Sequence, residues 1–453
     1  MLKQGDLVEL EINDLSNDGS GVGRIDNQVV FIPDTVNGDR LWARLVRVKR
    51  KHSQGKIKEI ITPSTHRIRP RCMVADKCGG CQWQHIDYSY QLEAKRNLVR
   101  QTLQRIGGFH NPPVLKVIGG SDLGYRNKVT YPLKISETGN LQAGYYQKAS
   151  HKIVNLNQCP IQDRRLNPLL AEIKQDLQNL GISIYNEKTH QGALRHLGFR
   201  IGANTGEILV TLFSKEKNIP KIERQAQIWL KRYQNLVGVA LNYNPHAHNV
   251  ILGENTFLLG GKPYLKEIFA GLELHLRSET FFQVNTPVAE ALLKVIFDQL
   301  NLQGKEIVVD AYSGIGTFTL PFAQKVQKAI GIELQSASVE QAQINADLNH
   351  ISNVEFLEGR SEKLLAKLDI KPDLVFLDPP RQGCHREVID TLRQIKPPRI
   401  VYLSCKSPSL ARDLKLLCEN ELYQLTEVQP ADFFPQTSHV ECAAFLTLNP
   451  TKV

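Results

Sequence analysis

Ile307-Val-Val-Asp310-Ala-Tyr-Ser-Gly314-Ile-Gly316-Thr-Phe-Thr319-Leu320 is the stretch whose reading decides the fold. An apolar run that ends in an acid and is followed at once by two glycines reads as a strand running into a tight turn and a helix. Glycines at such a turn let backbone amides approach a ligand at the helix start. Thr319 stands where the dinucleotide fingerprint has its third glycine, which disfavours a pyrophosphate cofactor. Glu333 closes the next apolar run, 23 residues beyond Asp310, where an acid accepts hydrogen bonds from both hydroxyls of a ribose.

The same alternation continues outward from this stretch. Residues 307–310, 329–333, 374–378 and 400–404 are apolar and strand-like, with helix-like stretches between them. That pattern predicts a doubly wound parallel sheet with ligands at the carboxyl ends of its strands. Three further features fall at those ends. Asp378-Pro-Pro-Arg381 places an acid on a loop stiffened by prolines. Arg381 replaces the aromatic residue that adenine-N6 chemistry uses to stack a target base. Cys405 directly follows a strand, beside Lys406, where a thiol pKa can be lowered. Near the C-terminus, His439-Val-Glu441 precedes a hydrophobic strand, so that Glu441 is a candidate base and His439 a residue to orient it. By residue type alone, an inert buried thiol is the default reading of Cys405, and surface charge that of Glu441 and His439.

The N-terminal residues 1–62 carry a different pattern. Apolar Val8, Leu10 and Ile12 alternate with Glu9 and Glu11, and residues 17–23 read as a glycine-rich turn. Residues 27–32, 41–46 and 55–61 complete a set of short strands that suits a small barrel of the oligonucleotide-binding type. Pro63 to Pro70 reads as a linker. A helix is expected from Tyr88 to about Ile106, ended by Gly107-Gly108, and mixed α/β structure from Tyr125 to about Leu276.

The 453 residues include 42% hydrophobic and 23% charged residues, an ordinary globular balance, with a net charge of +10. No apolar run is long enough to span a membrane and the N-terminus lacks a signal-peptide core, so a cytoplasmic protein is expected. Between Arg40 and Arg71 eleven Lys or Arg face a single acid, Glu59, a block suited to a phosphate backbone. Eight cysteines in such a chain point to metal or catalysis rather than disulfides. Cys72, Cys78, Cys81 and Cys159 supply four soft ligands, which suit zinc or an iron–sulfur cluster. Only one two-residue spacing is present, and Pro160 follows the last cysteine, which favours a [4Fe–4S] cluster. The C-x3-C-x2-C spacing of radical enzymes is absent, so the cluster's role would be to fold the region or to shape an RNA surface.

Together these residues resemble the RNA uridine-C5 methyltransferase family, over nearly the whole chain. The resemblance implies a multidomain protein. Residues 1–62 would form an OB-like β-barrel called a TRAM domain. Residues 63–275 would form a central α+β domain with the iron–sulfur site, its helix near 88–106 packing on the C-terminal domain. Residues 276–453 would form an α/β, Rossmann-like class I methyltransferase domain. Cys-Gly-Gly-Cys-Gln-x-Gln-His at 78–85 and Phe281-Phe-Gln283-Val-Asn285 match family stretches. The resemblance further implies Cys72, Cys78, Cys81 and Cys159 as cluster ligands. Gln283, Tyr312, Thr317, Glu333 and Asp378 fall on positions that bind S-adenosyl-L-methionine. Cys405 falls on the nucleophile and Glu441 on the base.

Such a nucleophile has a chemical reason. Carbon 5 of uracil is too weak to attack a sulfonium methyl until a thiolate adds to carbon 6. The chain departs from the family at Thr317, where many members have asparagine, and at Lys406-Ser-Pro, where Asn-Pro is usual. A barrel plus a cluster resembles the ribosomal RNA branch, making 23S rRNA the expected substrate and tRNA the alternative. A non-catalytic RNA-binding iron–sulfur protein is the reading from another class. RNA is the expected partner; no membrane and no obligate protein partner are evident.

Overall fold

The computed structural model describes residues 2–248 and 250–452. Five strands, β1 (Leu7–Leu15), β2 (Gly21–Ile25), β3 (Gln28–Ile32), β4 (Arg40–Val48) and β5 (His52–Thr62), close into a barrel in the order β1-β2-β3-β5-β4. Closure removes the exposed sheet edges. Leu10, Ile12, Val30, Ile32, Leu41, Ala43 and Leu45 fill the interior. The glycine stretch reads differently in three dimensions. Gly21 and Gly23 lie inside β2 rather than in a turn, because nothing larger fits there. A Cβ on Gly21 would meet Thr35 Oγ1 at 1.9 Å, and one on Gly23 would meet Leu10 Cδ1 at 2.2 Å.

Helix α1 (Tyr88–Thr102) begins on the side chain of Asp87, which accepts hydrogen bonds from the N–H groups of Ser89 and Tyr90. It runs into a π turn, Leu103–Gly107, and stops at Gly108 with φ +75°. Its buried face is not purely apolar: Gln91, Lys95 and Thr102 share it with Ala94, Leu98 and Val99. Val99 and Leu103 pack in one cluster with Leu410, Ala411 and Leu414 from the C-terminal part of the chain.

The central part holds β6 (Lys128–Ile135), β7 (Leu141–Tyr146), β8 (Ile153–Asn155), α2 (Asn167–Asn179), β9 (Leu194–Ile201), β10 (Ile208–Ser214), α3 (Ile222–Arg232), β11 (Leu236–Tyr243) and β12 (Asn255–Gly261). The strands form one sheet ordered β12-β11-β10-β9-β6-β7-β8. The hairpin of β13 (Tyr264–Phe269) and β14 (Leu272–Arg277) buries Leu265, Phe269 and Leu274 in the same core as Leu292 and Ile296 of α4 (Thr286–Leu300).

The remaining elements are β15 (Ile307–Asp310), α5 (Thr319–Ala323), β16 (Lys328–Glu333), α6 (Ser336–Leu348), β17 (Val354–Glu358), α7 (Ser361–Leu364), β18 (Leu374–Leu377), α8 (Arg386–Ile395), β19 (Arg399–Ser404), α9 (Ser407–Leu417), β20 (Tyr423–Ala431) and β21 (Glu441–Leu448). They build a sheet ordered β17-β16-β15-β18-β19-β21-β20, in which β17 through β19 run parallel and β21 antiparallel. Strand β18, Leu-Val-Phe-Leu, is buried on both faces, as a central parallel strand between helical layers should be. The loops at the carboxyl ends of β15, β16, β18 and β19 therefore open on one edge of the sheet, and β21 starts at that same edge.

Candidate active site

The glycine turn after β15 is shaped by hydrogen bonds to two acids. Asp310 accepts from the Thr319 hydroxyl at 2.6 Å and from Tyr312 N–H at 3.1 Å. Burial pushes its pKa up to about 7. Glu333, at the end of β16, accepts from Gly314 N–H at 3.0 Å and from Gln335 N–H at 2.8 Å. The helix starts only at Thr319, so this turn offers loop amides rather than a helix N-terminus.

Two observations fit this turn to an adenosyl ligand. Gly314 has φ +54° and open space where a Cβ would stand, a gap that leaves room for close approach. Ser313 Oγ is buried without a hydrogen-bond partner among the described residues. Thr317 is buried on the same turn, and Tyr312 packs partly buried against the core. Its phenol meets the Cys384 thiol.

Asp378 follows β18 and receives Gln283 Nε2 at 3.4 Å. Burial, then the charge of Asp310, pushes its pKa up to about 8. Gln283 is itself held from the central sheet: Asn127 Nδ2 donates to its carbonyl at 2.9 Å and to Thr286 Oγ1 at 3.0 Å.

Cys405 is partly buried on the turn between β19 and α9. Pro408 sits in the first turn of α9, where its missing N–H costs nothing, and this fixes the helix start just past the thiol. The β19–β21 register pairs Ser404 with Cys442. The next pair outward along an antiparallel ladder is Cys405 and Glu441. Burial pushes the Cys405 thiol up to about 11; Glu441 and Asp378 push the same way, while Arg381, which hydrogen-bonds the sulfur, opposes them. This corrects the expectation of a lowered thiol pKa beside Lys406. The lysine side chain is exposed, and the cation that reaches the sulfur is Arg381. Glu441 is buried, and burial followed by Asp378 holds its carboxyl well above the usual range. His439 is exposed and stands edge-on to Phe434 at 6.0 Å; no hydrogen bond joins it to Glu441 among the described residues.

Cys72, Cys78, Cys81 and Cys159 gather elsewhere, around one pocket lined also by Val74, Tyr145 and Ile161. Burial pushes Cys81 up to about 12 and Cys159 up to about 11, with the neighbouring thiols adding to both. Gly80 N–H points at Cys78 Sγ at 3.4 Å, and Gln84 Nε2 at Cys81 Sγ at 3.6 Å. Among the described residues no three His, Cys, Asp or Glu side chains converge as a metal-ion site.

Two parts of the arrangement escaped sequence reading. Arg381 was informative only as a missing aromatic, since nothing in the sequence brings it to the sulfur. Lys95 pairs with Asp432 at 2.6 Å, both side chains fully buried. A lysine on the buried face of α1 was the available signal, and a search for apolar positions passes over it.

A seven-stranded sheet of this order, an acid at the end of its second strand and a closed five-stranded barrel are the frame of a class I, S-adenosyl-L-methionine-dependent RNA methyltransferase. The profile described as tRNA (Uracil-5-)-methyltransferase matches residues 87–449, and that of the TRAM domain matches residues 2–58. The chain belongs to this uracil-5-methyltransferase family. It is 62% identical over 447 residues to an "uncharacterized RNA methyltransferase" of Nostoc sp., covering 98% of this chain and 97% of that one. A protein of the same description from Halalkalibacterium halodurans is 37% identical over 451 residues, covering 99% and 98%. The Pyrococcus abyssi tRNA (uracil-54, C5)-methyltransferase, solved in complex with S-adenosyl-L-homocysteine, superposes with a TM-score of 0.76 at 27% identity, over 97% of this chain and 100% of that one. Among the described residues no helix is long and apolar enough to cross a membrane.

Proposed function

We propose that this chain methylates carbon 5 of a specific uridine in cytoplasmic 23S ribosomal RNA through a covalent bond between Cys405 and carbon 6 of the base. The observation that carries the reading is the placement of Cys405 beside Glu441, with Asp378 and Arg381 around the sulfur. Gln283, Tyr312, Thr317, Glu333 and Asp378 would hold S-adenosyl-L-methionine, Glu333 through the ribose hydroxyls. When bound, the cofactor supplies an electrophilic methyl group on a positively charged sulfur.

The target uridine leaves its stack at a cost of a few kcal/mol and enters the pocket. The Cys405 thiol gives up its proton to water, and Arg381, which hydrogen-bonds the sulfur, favours the thiolate. Cys405 adds to carbon 6, and the electrons of the ring double bond move to the carbonyl oxygen at carbon 4. Asp378 and Gln283 would hold the base edge so that carbon 5 faces the methyl group and takes it as the sulfonium–methyl bond breaks, leaving S-adenosyl-L-homocysteine. Glu441 removes the proton of carbon 5. The freed electron pair restores the ring double bond and expels Cys405 as thiolate. Ordering both reactants in one pocket supplies much of the rate.

Cys72, Cys78, Cys81 and Cys159, gathered around one pocket, would hold a [4Fe–4S] cluster through four thiolates. The N–H donors aimed at two of the sulfurs suit it also. Such a cluster would tie residues 72–81 to the central sheet. The Pyrococcus relative supports tRNA as the second substrate reading. Mapping 5-methyluridine in ribosomal and transfer RNA, from cells with and without the protein, decides between them. Loss confined to 23S rRNA, with no rescue by Cys405→Ala, is the expected result; loss confined to tRNA would move the substrate.

A further inference from the structure

The nine residues 432–440 join β20 to β21 and lead directly into Glu441. Their anchors come largely from the N-terminal part of the chain. Lys95 on α1 donates to Asp432 Oδ1 at 2.6 Å and to the carbonyl of Phe434 at 3.1 Å. Gln91, one turn earlier and fully buried, exchanges hydrogen bonds with Gln436: its Nε2 donates to Gln436 Oε1 at 3.0 Å, and Gln436 N–H donates to Gln91 Oε1 at 3.0 Å. The N–H groups of Gln82 and Trp83 both donate to the Gln436 carbonyl at 3.0 Å. The Tyr125 hydroxyl donates to the Pro435 carbonyl at 3.1 Å, and Ser438 donates to the carbonyl of Asn17, in the barrel, at 3.0 Å. Gln436 has φ +69°, a conformation that a residue with a Cβ keeps only when its surroundings hold it.

A buried ion pair is weak evidence for stability, since apolar residues of the same volume often serve as well. Its strength is geometric: two buried charges accept few arrangements. We propose that Lys95 and Gln91 are positioning residues for the reaction. They fix the path of residues 432–440, and through it the place of the Glu441 carboxylate against Cys405 and the carbon that loses its proton. The proposal rests on Glu441 being the base. Gln82 follows Cys81 directly, so the cysteine segment grips the same loop.

The test uses the full-length protein, S-adenosyl-L-methionine and ribosomal RNA purified from cells that lack the protein. Glu441→Gln is expected to lose turnover and to accumulate a methylated protein–RNA adduct on a denaturing gel. Lys95→Met is expected to lower kcat by about tenfold or more, as small misplacements of a reacting group do. Its KM for the cofactor should stay within about twofold, the mark of a change confined to later steps. The adduct should accumulate, because only its resolution is slowed. Gln91→Leu, which leaves the ion pair intact, carries the same expectation should Lys95→Met not fold. Wild-type turnover in both variants, or parallel loss of cofactor binding and adduct, overturns the proposal while Glu441→Gln still traps. If Glu441→Gln traps nothing, the base assignment fails and takes the proposal with it.

Discussion

Cys405 and Glu441 face each other across the first position beyond the β19–β21 ladder, set there by the pairing of Ser404 with Cys442. The acid lies far from the thiol in sequence and still faces it, because the last strand inserts antiparallel between β19 and β20. The charge of Glu441 adds to burial in keeping the thiol protonated.

Burial, with that pairing adding to it, makes the free thiol sluggish at neutral pH. Alkylation of Cys405 by iodoacetamide, followed by peptide mass spectrometry, should climb with pH toward a midpoint near 11. A thiolate is the reactive form, so a raised pKa moves the whole curve to higher pH. Glu441→Gln removes a negative neighbour and should move the midpoint down. A midpoint at or below the ordinary thiol value of about 8.5 would contradict the raised pKa.

Glu333→Ala should weaken S-adenosyl-L-methionine binding by about tenfold or more, since hydrogen bonds to a charged group contribute about 1.5–3 kcal/mol. RNA binding should be unchanged. Calorimetric titration of each ligand checks both statements.

Gly331→Ala should destabilise the protein by about 1–3 kcal/mol, the usual cost of overpacking a core. Its Cβ would stand 2.6 Å from Phe356 Cδ1 and 2.8 Å from Ser313 Cβ. Both neighbours are near the turn proposed to hold the cofactor, so stability against denaturant should fall together with cofactor affinity.

Replacing Arg44, Lys49, Arg50 and Lys51, all exposed on the barrel, should weaken RNA binding evenly across sequences. For each phosphate no longer neutralised, the slope of log affinity against log salt should become shallower by about 1. An unchanged slope would show that this face of the barrel does not meet the backbone.

Much of the architecture was legible because its signals are local. The β15 turn, Glu333 and Asp378 sit at strand ends that short apolar runs mark plainly, and the sheet order then brings them together. The barrel was legible from its alternation, except at Gly21 and Gly23, whose glycines answer to Thr35 and Leu10 rather than to a turn. Pairs made across the fold were not legible. Arg381 reaches Cys405, Asn127 holds Gln283, and Lys95 meets Asp432, each over a separation that no periodicity encodes. The pKa of Cys405 depends on such long-range neighbours, which is why Lys406, its neighbour in sequence, pointed the wrong way.

The most direct measurement of the covalent mechanism uses ribosomal RNA carrying 5-fluorouridine at the target position, incubated with the protein and S-adenosyl-L-methionine. Fluorine cannot leave carbon 5 as a proton does, so the methylated adduct should persist, and mass spectrometry of the digested complex should find the nucleotide on the Cys405 peptide. Adduct on another residue, or methyl transfer with no adduct in either wild type or Glu441→Gln, would contradict it.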